Sequence, residues 1–171
     1  MLKTFFRLFL LVAFLSLFVA SCSVKKSLEK EGAFAELYPT QVMNGKLKLS
    51  VDYLSGSMAQ GNTFYIVVEN ISDGSIWFAN DLGIKVYRFD GVSEKWKEVQ
   101  NNTEYSGVSV VVEPKGRKPP NIYSTGVVPV LPEGNKDKTI RVVVIGKIYR
   151  DGNPTDEAVG AWLDVTLPVF R

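Results

Sequence analysis

The sequence predicts an all-β protein, an antiparallel β sandwich or barrel of about eight or nine strands. Short runs rich in Val, Ile, Tyr, Phe and Trp, which pack well on a pleated surface, recur from residue 46 to residue 167. Turns that contain Gly, Asp, Asn or Pro separate these runs, as at 72–74, 90–91, 132–134 and 151–154. No segment after residue 21 shows a sustained helical period of 3.6.

The predicted strands are residues 46–53, 63–70, 75–79, 84–89, 95–99, 108–113, 122–131, 139–149 and 158–167. Before them, Phe34, Leu37 and Tyr38 are apolar enough to be buried, in a short helical turn or a first strand. Trp96 and Trp162 are expected in the core.

The first 21 residues have the layout of a helical export signal. Lys3 and Arg7 precede an apolar run of 13 residues, 8–20, interrupted only by Ser16. A membrane-spanning helix needs about 20 apolar residues, so this shorter run favours a signal peptide. Without residues 1–21 the 20 basic residues become 18 and balance the 18 acidic ones. A neutral body argues against nucleic acid as a partner.

Val19, Ala20, Ser21 and Cys22 end this segment. Their order resembles the lipobox of bacterial lipoproteins, which is an aliphatic residue and two small residues before a cysteine. The resemblance covers residues 1–22 and implies that Cys22 is lipidated and becomes the N-terminus after cleavage. The membrane is then a partner through the lipid, and the protein is anchored outside the cytoplasm in a bacterial cell envelope. Ser23 is permissive for the outer membrane of a Gram-negative organism.

An ordinary secretory signal that leaves one free thiol is the alternative interpretation of Cys22. Residues 22–32 are polar and charged, which predicts a flexible tether. Residues 33–171 are then a single β-sandwich domain, with no internal repeat or second domain boundary.

A second resemblance covers residues 63–99. Glu69, Asn70, Ser72 and Asp73 end one apolar strand, and Trp96 follows in a later strand that ends at residue 99. This pattern is similar to the immunoglobulin-like domains of bacterial surface proteins and lipoproteins, which implies an immunoglobulin-like sandwich. A proteinase-inhibitor domain of bacilli has a similar strand, so the resemblance also implies inhibition as a possible inherited role.

The composition excludes much catalytic chemistry. The chain has no histidine and one cysteine, so a Ser-His-Asp triad, a Cys-His pair, a His/Cys zinc site and an intrachain disulfide cannot form. We expect no cofactor and no enzyme activity. The exception left open is a hydrolase with two acidic catalysts, although no carboxylate spacing indicates one.

Four oxygen-bearing residues, Asp151, Asn153, Asp156 and Glu157, are weak calcium candidates, with a solvated loop as the favoured alternative. Otherwise no metal site is predicted.

Two further groups are candidates for binding. Lys115, Arg117 and Lys118 form a basic loop that could contact lipid headgroups or an acidic glycan, although most such loops are simply solvated. Trp77 and Phe78 are adjacent on a predicted strand, so they point to opposite faces and at most one belongs to the core. The other could stack on a sugar or a protein partner.

These observations favour a lipid-anchored, extracytoplasmic β sandwich that acts as a non-catalytic binding or structural module. The first alternative is an inhibitor or accessory factor of an envelope protease or hydrolase. The second is a carbohydrate-binding module. An envelope protein or a glycan is therefore the expected partner.

Overall fold

The computed structural model describes residues 32, 34, 36–38, 45–52, 63–103, 107–116, 121–132 and 139–167. Its strands are β1 (Leu47–Asp52), β2 (Phe64–Asn70), β3 (Ser75–Phe78), β4 (Lys85–Asp90), β5 (Lys95–Val99), β6 (Val110–Val112), β7 (Ile122–Val127), β8 (Thr139–Arg150) and β9 (Asn153–Thr166). The predicted signal peptide, residues 1–21, lies outside the described residues, as does the predicted tether apart from Gly32. In the described part of the chain, no helix has the length and apolarity needed to cross a membrane.

The strands form two antiparallel sheets, so the all-β prediction is confirmed and the sandwich alternative is the one observed. The smaller sheet has the order β1-β2-β7, and the larger has the order β5-β4-β8-β3-β6, with β9 also paired to β8. Each of the nine predicted regions overlaps one observed strand. The largest difference is β9, which begins five residues before the predicted region.

One hydrophobic core lies between the two sheets. Alternate residues of β2, Phe64, Ile66 and Val68, are buried in it, as their period of two predicts. From the larger sheet it receives Ile140, Val142 and other side chains of β8, together with residues of β3, β4, β6 and β9.

Strand β8 is the centre of the larger sheet, and its two edges differ. β9 pairs along one edge over almost the whole strand. On the other edge, β4 pairs with the first third of β8 and β3 with its last third. Between them the chain turns away at Asp81–Gly83, where a side chain on Gly83 would lie 2.8 Å from the carbonyl oxygen of Ile145. Glycine is therefore required at this close approach, where φ is also positive.

The outer face of the larger sheet carries a second, smaller cluster. Tyr87, Phe89, Trp96 and Val143 are buried there, and Trp162 packs against them. The cluster is covered by Phe34 with residues 36–38, which we call the strap. Amides of Leu37 and Tyr38 donate to the carbonyl oxygen of Phe34, so the strap is a single turn, which is the first of the two predicted alternatives.

Candidate functional site

A pocket of about 380 Å³ opens at one end of the sandwich. We call it the end pocket. Its walls are the residues before β1, the turn after β2 and the last residues of β8. This volume lies within the range of small-ligand sites. The lining residues are Gly45, Lys46, Ile71, Ser72, Asp73, Gly74, Ile148, Tyr149 and Arg150.

Asn70 holds the turn that forms one wall of the end pocket. Its side chain is fully buried, and its amide nitrogen donates to the carbonyl oxygens of Gly74 (2.8 Å) and Val112 (2.9 Å). Its side-chain oxygen accepts hydrogen bonds from the backbone amide (2.9 Å) and the hydroxyl (2.7 Å) of Ser72. Three of the residues that carried the immunoglobulin-like resemblance, Asn70, Ser72 and Asp73, therefore shape this wall.

The charges beside the end pocket are arranged around Glu157. Its carboxylate lies 2.5 Å from Lys46 Nζ and 3.6 Å from Arg150 Nη2. The hydrogen bond and positive charge of Lys46, with Arg150 beside them, hold the pKa of Glu157 below its ordinary value of 4.5. The pocket therefore has two cations, both paired with Glu157, next to exposed Ile71 and half-buried Tyr149. Such a mixture suits a ligand with both polar groups and an apolar face.

At the other end of β8, Arg141 is buried in an aromatic cage. Its guanidinium carbon lies 3.6 Å from the ring centre of Trp162, 4.4 Å from that of Trp96 and 4.7 Å from that of Phe34. Asp164, its cross-strand neighbour, accepts hydrogen bonds from Nε (2.6 Å) and Nη2 (2.8 Å). Arg141 is only 1% exposed, and among the described residues its Nη1 has no acceptor.

The strap closes this cage with two rings. Phe34 is 3% exposed and makes edge contacts with Tyr87, Trp96 and Trp162. The hydroxyls of Tyr38 and Tyr87 form a short hydrogen bond. Burial raises the pKa of Tyr87 strongly, and the neighbouring Tyr38 and the carboxylate of Glu98 raise it further.

The predicted aromatic residues are distributed between the two faces of the larger sheet. Phe78 is 0% exposed in the main core, where no ligand can reach it. The prediction that Phe78 is a binding residue is therefore wrong. Trp77 is half-buried on the opposite face, as the alternation of a strand requires. Trp96 is buried as predicted, whereas Trp162 is only half-buried because it forms the rim of the cage. Leu37, expected to be buried, is 47% exposed.

We expected the four weak calcium candidates to lie in one solvated loop, but only Asp151 lies outside a strand. Asp151 and Gly152 form a two-residue turn with positive φ at both positions, and Asn153, Asp156 and Glu157 already belong to β9. Glu157 binds Lys46 and Arg150 instead. Within the residues that the structure covers, no group of three Asp, Glu, His or Cys side chains could hold a metal ion.

The remaining predicted site residues are Cys22 and the basic loop. Lys115 is exposed in a turn after β6. Cys22, Arg117 and Lys118 lie outside the described residues.

Sequence reasoning missed the buried polar residues. Arg141 was one of two charged residues, with Lys147, in a mostly apolar predicted strand, and Asn70 was only part of a fold pattern. A usable signal was the run of residues 142–145, four consecutive β-branched residues that indicate a strand buried on both faces. An arginine in such a strand requires a buried partner.

No family model matches the chain, and no curated protein matches its sequence.

Proposed function

We propose that this protein is a lipid-anchored, extracytoplasmic module of a bacterial cell envelope that binds a ligand without catalysis. The observation that carries the anchor is the position of Cys22, because the single cysteine of the chain is the residue that a lipobox requires. A free thiol on an exported protein would be exposed to oxidation. Two or more acyl chains would instead hold the protein stably on a membrane.

Metabolic labelling with palmitate tests this anchor. The wild-type chain should be labelled and should sediment with membranes, whereas Cys22→Ala should lose the label and appear in the soluble fraction. Ser23→Ala, one residue further on, is the matched control and should behave as wild type. Undiminished membrane association of Cys22→Ala would exclude the lipid anchor.

The end pocket supports the binding role. It lies at the end of β8 opposite to the strap, and the tether reaches the domain at the strap. From Val143, beside the cage, to Arg150 is seven residues, or about 23 Å along an extended strand. A ligand in the end pocket would therefore be bound away from the point where the tether joins the domain.

The ring of Tyr149 beside Arg150, Lys46 and Asp73 favours a carbohydrate as the ligand. Sugars place an apolar face on an aromatic ring while their hydroxyls bind charged groups. We therefore propose an envelope glycan as the first candidate ligand. An envelope protease or hydrolase, bound by the protein as inhibitor or accessory factor, is the second.

Retention on the immobilised protein distinguishes these ligands. Soluble glycan fragments and detergent-solubilised envelope proteins are applied separately to the wild type, to Arg150→Ala and to Lys95→Ala. Arg150→Ala should lower retention at least tenfold, and Lys95→Ala, an exposed lysine at the other end of the molecule, should not. One stoichiometric envelope enzyme in place of glycan would favour the inhibitor. Equal retention by Arg150→Ala would remove the end pocket as the site.

We further propose that the sandwich is immunoglobulin-like. The residues of the second resemblance run from β2 to β5 and so join the two sheets. Their Asn70 and Trp96 are both buried, which supports a structural reason for the pattern.

A further inference from the structure

We infer that the Arg141 cage is a binding site for an aromatic side chain of a peptide, and that the strap fills it reversibly. The other rings around Arg141 come from strands of the larger sheet, whereas Phe34 belongs to a turn far from them in sequence. Three rings and one guanidinium converge on the Phe34 ring within 6.1 Å. The sheet therefore presents a preformed receptor, and the strap is its ligand in the same chain.

The contacts of the strap are made by side chains. Its backbone hydrogen bonds run within its own turn, from Leu37 and Tyr38 to Phe34. In the part of the chain that the structure describes, no backbone hydrogen bond joins the strap to a strand. A segment without ladder bonds and with few buried side chains belongs to the part of a protein that opens most easily. Release of the strap therefore leaves both sheets intact.

The strap also leaves its receptor incompletely satisfied. It covers Arg141, yet Nη1 of the guanidinium has no acceptor among the described residues. A buried donor without an acceptor disfavours the closed form, since the donor is solvated when the site opens. The aromatic contacts favour closure and the unpaired donor opposes it. The unpaired donor therefore reduces the free energy by which the closed form is favoured over the open one.

Reversible docking has a consequence for the tether, and this consequence rests on the proposed lipid anchor. With the strap docked, Cys22 and Phe34 are 12 residue steps apart, a reach of at most ~43 Å. With the strap released, Cys22 and Leu47 are 25 residue steps apart, a reach of at most ~90 Å. Occupancy of the cage would set which of these lengths applies.

Binding of the strap as a separate peptide tests the inference. The probe is a fluorescent synthetic peptide of residues 30–41, titrated by anisotropy against the full chain in detergent. Phe34→Ala protein, whose own strap has lost its ring, should bind the peptide at least tenfold more tightly than wild type does. Leu37→Ala protein is the matched control, because Leu37 is exposed on the same turn, and it should resemble wild type. The peptide with Phe34→Ala should not bind either protein.

Failure of Phe34→Ala protein to bind the peptide would overturn the inference, as would equal binding of the two peptides. Hydrogen exchange of the wild type gives a second measurement that needs no variant. Amides of Leu37 and Tyr38 should exchange at least 100-fold faster than those of Val142 and Val144, and equal protection would show that the strap does not open. Neither measurement depends on the lipid or on the end pocket, so the proposed function can fail separately.

Discussion

Asn70 is a single buried amide that connects three parts of the chain. It bonds to the turn at Ser72 and Gly74 and to the carbonyl oxygen of Val112 at the end of β6. Asn70→Ala would remove the hydrogen bonds of this side chain to Gly74, Val112 and Ser72, of which the one to the carbonyl oxygen of Val112 is buried. At about 1 kcal/mol for each lost hydrogen bond, we expect the free energy of unfolding in urea to fall by about 2–4 kcal/mol.

Ser72→Ala is the control for Asn70→Ala. It removes only a half-buried hydroxyl, so it should lower the free energy of unfolding by about 1 kcal/mol or less. If Asn70→Ala cost no more than Ser72→Ala, the side chain of Asn70 would not be what holds this turn.

Among the residues that the structure describes, the pair of Arg141 with Asp164 is the one ion pair that has a buried member. Because Asp164 is partly exposed and Arg141 is not, Asp164→Ala leaves an uncompensated buried charge, and we expect a loss of about 2–3 kcal/mol. Replacing both groups, with Arg141→Met and Asp164→Ala together, removes that charge and should cost less than Asp164→Ala alone. Urea unfolding of the four proteins of this double-mutant cycle measures the coupling.

An exposed carboxylate of the same strand provides the comparison for this cycle. Asp156→Ala should change the free energy of unfolding by about 0.5 kcal/mol or less. Additive effects of Arg141→Met and Asp164→Ala would mean that the two residues do not stabilise each other.

At the scale of the strand, β8 is packed on both faces, and Gly146 is where that packing is tightest. A side chain there would lie 2.6 Å from Cε1 of Phe78 and 2.8 Å from Cγ2 of Ile76. Gly146→Ala should therefore destabilise the protein by about 1–3 kcal/mol in thermal or urea unfolding, since an overpacked core must shift.

Gly91→Ala is the matched substitution for Gly146→Ala. Gly91 lies in the turn between β4 and β5, where no described atom is within 4 Å of the added carbon. Its effect should stay within about 0.5 kcal/mol. Equal effects of the two substitutions would show that β3 and β8 are less tightly packed than their contacts indicate.

Strands were predictable from the sequence because period-two alternation and turn residues act locally. β5 was predicted with its observed bounds, and the others overlap their predicted regions. The early start of β9 was missed because Asn153, Pro154 and Asp156 are poor strand formers. Proline is tolerated there because β9 has a free edge away from β8 in the described sheet, where no ladder donor is needed.

The candidate site was much less predictable than the strands. The end pocket combines residues near positions 46, 72 and 149. The cage combines Phe34 and Arg141 with aromatic residues of β4, β5 and β9. No local pattern encodes which of these segments meet. They meet because β8 pairs with three other strands, and that topology is a property of the whole sheet.

At the scale of the whole molecule, no described group with a shifted pKa titrates near neutral pH. The chain has no histidine, the side chain whose ordinary pKa of about 6.5 makes most proteins sensitive near neutral pH. The groups with shifted pKa values are at the two extremes. Lys97, with Ser93 and the amide of Val92, holds the pKa of Asp90 well below its ordinary value of 3.8, and Lys46 lowers that of Glu157. Burial raises the pKa of Tyr87.

These shifts predict how stability depends on pH. A carboxylate with a lowered pKa in the folded state stabilises the fold above its unfolded value, so this contribution is lost as pH falls below about 4.5. A tyrosine with a raised pKa stabilises the fold below its unfolded value, so this contribution is lost as pH rises above about 10. The free energy of unfolding of the Cys22→Ala chain should therefore be level between about pH 6 and pH 9 and should fall on both sides.

Two variants identify the groups that cause the loss of stability at acid pH and at alkaline pH. Tyr87→Phe removes the buried hydroxyl, so its stability should decline less steeply above pH 10 than that of its parent, because the variant lacks the tyrosine whose ionisation the fold opposes. Lys97→Ala removes the main cause of the lowered pKa of Asp90, so its acid limb should become shallower. Urea unfolding at six or seven pH values measures all three chains. A decline between pH 6 and pH 9, or an unchanged alkaline slope in Tyr87→Phe, would contradict the assignment and would place the titrating group elsewhere in the fold.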